Sequence, residues 1–182
     1  MKQAYILVSL TVLAVTSFAY AQPPKSDGLV KEGDTFKHEA SKSSLKVNKE
    51  WELVDTRNTV QVPHVALRKA FGGVDVIVTW TKLQDLKFDE AVQLEVEQLA
   101  QSYGKDKVAK KEPITIDNKS VAVIELAEGP DRNSKQAGLV YLIDAGPDAK
   151  ERWKVKMRVI LDKSSMNSGL KSINELLKQF QW

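Results

Sequence analysis

Two stretches, Val121 to Leu126 and Gly138 to Ile143, are apolar toward both sides, and this limits the folds open to the chain more than any other feature. A strand sends alternate side chains to opposite faces, so a sheet with one wet face shows a polar residue at every second position. VAVIEL and GLVYLI break that rule, and each requires an apolar layer above and below it. They are expected as central strands of a doubly covered sheet.

The other periodicities supply the rest of the sheet and its cover. Leu45 and Val47 alternate with polar residues, and Trp51 and Leu53 follow after a break. Val60 to Ala70 and Val74 to Thr81 flank Phe71-Gly72-Gly73, which predicts a hairpin whose first strand is an edge or begins after Pro63. Phe88, Val92, Val96, Leu99 and Tyr103 form one stripe of a helix, with Asp89 and Glu90 in its first turn and Gly104 as its stop. Strands return after Pro113 as Ile114 to Ile116, Val121 to Leu126, Gly138 to Ile143 and Trp153 to Leu161, with a turn at Asp117-Asn118-Lys119. Leu170, Ile173, Leu177 and Phe180 then predict a closing helix behind Asn167 or Ser168 that runs to Trp182. The expected class is α+β, an antiparallel sheet sandwiched between helices (α/β/α) in the order strands, helix, strands, helix.

Residues 1–21 have the three parts of a secretory signal peptide: a basic start, an apolar run from Ala4 to Ala19, and small residues before a cleavage point expected after Ala21. This predicts a periplasmic or secreted protein with no transmembrane span once the signal is removed. Residues 22–43 are polar and broken by Pro23, Pro24, Gly28 and Gly33, which predicts a linker or loosely packed lead-in, and residues 44–182 are expected to form a single domain. The 182 residues include no cysteine, so disulfides, thiol nucleophiles, iron-sulfur clusters and acylation behind the signal are excluded. A formal charge of +3 from 27 basic and 24 acidic residues is too nearly balanced to indicate a specific nucleic-acid partner.

In SLKVNKEWELV, the hairpin, FDEAVQLEVEQLAQSYG, the late strands and the closing LKSINELLKQF, the chain resembles the PsbP-like family in pattern over most of residues 44–182. That resemblance implies an α/β/α sandwich and a non-enzymatic role as an assembly factor, extrinsic subunit or binding partner of a larger complex. It implies no catalytic residues, and none is carried over.

The residues themselves name no reaction. AEGPDRNSKQ gathers Glu128, Asp131 and Arg132 around a Gly-Pro turn, and AGPDAKE repeats the turn after the next strand. In an up-and-down meander these loops fall at opposite ends of the sheet, about 25 Å apart for eight residues at ~3.3 Å each. They are expected to reverse the chain, the first being the candidate for partner contact. His38 and His64 lack a nucleophile elbow or a second ligand at metal spacing, and no phosphate or dinucleotide motif is present, so no catalytic residue, metal site or cofactor is assigned. Trp80 and Trp153 belong to apolar rows and are expected in the core. In RWKVKMRVIL one face carries Arg152, Lys154, Lys156 and Arg158, four like charges that repel unless acids such as Glu125 or Asp144 lie beside them or an anionic partner covers them. The expected function is an exported, non-enzymatic protein-binding or assembly module, with another protein or an anionic surface as partner. A carboxylate hydrolase without cofactor, or a small-ligand or lipid carrier with a cavity between sheet and helix, are the alternatives.

Overall fold

The computed structural model describes residues 28–55, 63–69, 73–129, 135–145 and 152–182. More than half of these residues are strand, arranged as two antiparallel sheets with two helices. The larger sheet has the order β4-β5-β6-β10-β9-β8-β7, built from β4 (Trp51–Asp55), β5 (His64–Lys69), β6 (Val74–Lys82), β7 (Val108–Ile116), β8 (Lys119–Leu126), β9 (Gln136–Ala145) and β10 (Trp153–Asp162). The smaller has the order β1-β2-β3-β11, from β1 (Leu29–Glu32), β2 (Thr35–His38), β3 (Ser43–Lys46) and β11 (Phe180–Gln181).

This corrects the α/β/α sandwich expected from the sequence. One side of the large sheet bears α1 (Phe88–Tyr103), whose Val92 and Leu99 pack with Ile124, Leu126, Val140 and Leu142. The other side bears the small sheet together with α2 (Met166–Lys178). There Phe36, Leu45, Ile173, Leu177 and Phe180 share one core with Val76, Val78, Trp80, Val155, Met157, Val159 and Tyr141. Apolar residues on both faces of β8 and β9 do require two layers. They do not say whether a layer is a helix or a second sheet, because either presents an apolar surface.

Two further corrections follow from the small sheet. Residues assigned to a loose lead-in form β1 and β2, joined through Gly33 in the left-handed region (φ 59°), where a glycine avoids Cβ strain. The closing helix stops at Lys178 instead of continuing to Trp182. Gln179 turns the chain, and Phe180 and Gln181 pair with Leu45 and Ser44. α2 lies close to β10 because Gly169 has no side chain: a Cβ there would sit 2.5 Å from Leu161 Cδ2.

Other elements match the sequence more closely. β5 begins at His64, directly after Pro63. α1 starts behind Lys87, whose backbone N–H donates to Glu90 Oε2 at 2.8 Å, and ends at Gly104 (φ 98°). β7 is longer than expected, since the chain passes Pro113 through a register shift between Lys111 and Ile114. A proline is tolerated there because β7 is an edge strand. β7 to β10 form the expected meander, so the β8 to β9 and β9 to β10 connections start from opposite ends of the sheet, and most of their Gly-Pro-Asp residues lie outside the described ones.

Candidate functional site

Among the described residues, the side of the large sheet that carries α1 is only half covered. α1 lies over β7, β8 and β9 and reaches β10 through polar contacts, and beyond it the outward residues of β5 and β6 meet no other layer among the described residues. Ile77, at the middle of β6, faces this side between Ala66 of β5 and Arg158 of β10 and is 37% exposed. Thr79 and Thr81 continue the row, and Leu94 of α1 and Val54 of β4 are exposed as well.

The basic row of β10 borders this face, and most of it is partnered from within the fold. Glu95 descends from α1 and accepts from both Lys154 Nζ and Lys156 Nζ at 3.1 Å; its side chain is 5% exposed. Burial pushes the Glu95 carboxyl up, but Lys156 and Lys154 together outweigh that and hold it below its ordinary value, so it is a carboxylate. Arg158 donates to Tyr103 Oη and lies against the Tyr103 ring. Arg152 pairs with Asp144 at 2.5 Å, as the sequence suggests, whereas Glu125 pairs across the edge with Lys111.

Glu95 is the residue the sequence analysis missed. It stands three positions after Val92 and four before Leu99, within the apolar stripe of α1. An acid inside such a stripe facing a strand with a lysine row is the available signal.

Of the loop candidates, Glu128 alone lies among the described residues. Glu128 accepts from Lys107 Nζ at 3.0 Å, which draws the Lys107 ammonium above its ordinary value through that hydrogen bond and the charge of Glu128. Asp131 and Arg132 lie outside the described residues, as do residues 1–27 with the expected signal peptide.

The histidines separate sharply. His64 opens β5 opposite Thr79 and is half-buried. His38 is wholly buried between the sheets, edge-on to Trp153 at 4.5 Å and stacked on Trp80 at 5.8 Å. Trp80 Nε1 donates to Ser43 Oγ at 2.9 Å, and the hydroxyls of Ser43 and Ser41 carry the chain on to His38 Nδ1 in steps of 2.7 Å. The Ser41 backbone N–H also donates to Nδ1, so that nitrogen is an acceptor. A serine bonded to a histidine is a nucleophile-and-base arrangement in form, but this one is sealed from solvent and ties β2 and β3 to β6.

No group of three metal-ligating side chains occurs among the described residues, and no helix among them is long and apolar enough to cross a membrane.

The class defined by these features is a mostly β protein with two packed antiparallel sheets, one face of the larger sheet being only partly covered by a helix among the described residues. No family model matches the chain, and no curated protein does. Among solved structures it is similar in fold to LpqN of Mycobacterium tuberculosis, described as involved in cell envelope biogenesis, with a TM-score of 0.57 and 11% identity over 84% of this chain and 88% of that one.

Proposed function

We propose that the protein is an exported, non-enzymatic module of the cell envelope that works by binding another protein through the open half of its large sheet. The observation that carries this reading is the 37% exposure of Ile77 on a central strand, beside Thr79, Thr81 and the α1 flank. An apolar side chain at the middle of a seven-stranded sheet is ordinarily covered, and apolar surface rimmed by polar residues is the usual form of a protein contact. The fold shared with an envelope-biogenesis protein supports an envelope role, and the signal-peptide pattern of residues 1–21 supports export. The PsbP-like pattern, with its binding and assembly role, belongs to the same proposal. The internal pairing of Glu95, Asp144 and Glu128 supports binding over catalysis, because these acids hold neighbouring cations in place.

The test is affinity capture from the extracytoplasmic fraction with wild-type protein and with Ile77→Asp, whose folding is verified by circular dichroism. The expected result is one partner retained by the wild type and lost by the variant. Equal recovery by both, or turnover by the wild type in a polymer-hydrolysis screen, would overturn the reading.

A further inference from the structure

On the opposite flank of α1 the N-terminal turn of the helix stands away from β7 and β8 and leaves a cavity of about 440 Å³. Its walls are mostly apolar: Phe88 and Val92 from α1, Pro113 from β7, Ala122 from β8, and the ring of Trp182. That volume lies within the ~300–1,000 Å³ of small-ligand sites, toward the lower end, which suits one hydrocarbon chain better than two.

The charged lining divides into groups that are already paired and groups that are not. Lys111 is tied to Glu125 and Asp144 to Arg152. Lys110 has no ion-pair partner among the described residues, and Lys119 holds its ammonium 5.0 Å from the centre of the Trp182 ring, a contact that leaves its positive charge uncompensated. Against these two cations stands the carboxylate of Asp89, so the opening keeps an excess of one positive charge beside an apolar interior.

We infer that this cavity binds a single-chain amphiphile with an anionic head group, the hydrocarbon lying along Phe88, Val92 and Ala122 and the head on Lys110 and Lys119. The two parts of the site act on different parts of the ligand. Burial of the chain contributes affinity without regard to the head, while the lysines separate an anionic head from a neutral one. Asp89 opposes the same head, which makes its removal informative. This site is distinct from the open sheet face, from which α1 separates it.

Isothermal titration calorimetry below the micellar concentration tests the assignment with dodecanoate, dodecyl phosphate and neutral dodecyl maltoside. The expected result is saturable one-to-one binding of an anionic probe, the tighter of the two identifying the head group, and weaker binding of the maltoside. Lys110→Glu with Lys119→Glu, both at exposed positions, should weaken the anionic probe by about tenfold or more, and Asp89→Asn should strengthen it. Ala122→Leu should reduce binding of all three probes by filling the cavity, with thermal unfolding used to verify that the variant folds. No saturable binding, equal binding of the maltoside, or an affinity untouched by the lysine reversals would each overturn the inference.

Discussion

Glu95 brings a carboxylate into the contact between α1 and β10 and meets two ammonium groups there, with one lysine side chain 14% and the other 34% exposed. Such a group adds little net stability beyond an apolar contact of the same size, yet its removal leaves two like charges beneath a helix. Glu95→Gln should therefore cost on the order of 2–3 kcal/mol in urea unfolding, below the ~3–5 of a fully buried pair because Lys156 keeps part of its hydration. The pH dependence has a definite sign. The folded carboxyl titrates below its unfolded value of 4.5, so its contribution is complete above that value and is lost as pH falls through the lower, folded one. Wild type should lose stability in this acid window more steeply than Glu95→Gln, and parallel acid profiles for the two would contradict the pairing.

At the scale of elements, β11 is the shortest of the described strands, and its Phe180 joins the core between the two sheets. Phe180 is 2% exposed, stacks against Trp80 at 6.3 Å and pairs with Leu45. Phe180→Ala should lower the unfolding free energy by about 3–5 kcal/mol, measured by denaturant titration. The spacing of Leu170, Ile173, Leu177 and Phe180 fits one helical stripe, so periodicity alone runs the helix past Lys178. Only pairing with β3, a contact across more than a hundred residues, decides otherwise. The same limit explains the lead-in: Phe36 and His38 alternate as a strand does, but four-residue strands separated by short turns carry too few repeats to stand out from a polar linker. α1, β6 and the β8 to β10 meander were legible because their patterns are long and local. The lysine row was legible too, but its partner was not, since Glu95 lies 59 and 61 residues from the two lysines it pairs with and meets the row only after α1 docks.

For the whole molecule, the decisive fact is that both sheets and α2 share one core. Trp51, Trp80, Trp153 and Trp182 all belong to that core or pack against it. Denaturant unfolding followed by tryptophan fluorescence and by far-ultraviolet circular dichroism should give coincident transitions, and separated midpoints would show that the small sheet melts on its own.

The pairing of Phe180 with Leu45 has a consequence for biosynthesis. Early residues wait for late ones, because β3, though paired with β2, lacks its second neighbour until position 180 has been made. A contact between segments so far apart in sequence closes late, so this edge of the small sheet cannot be sealed until the far segment arrives.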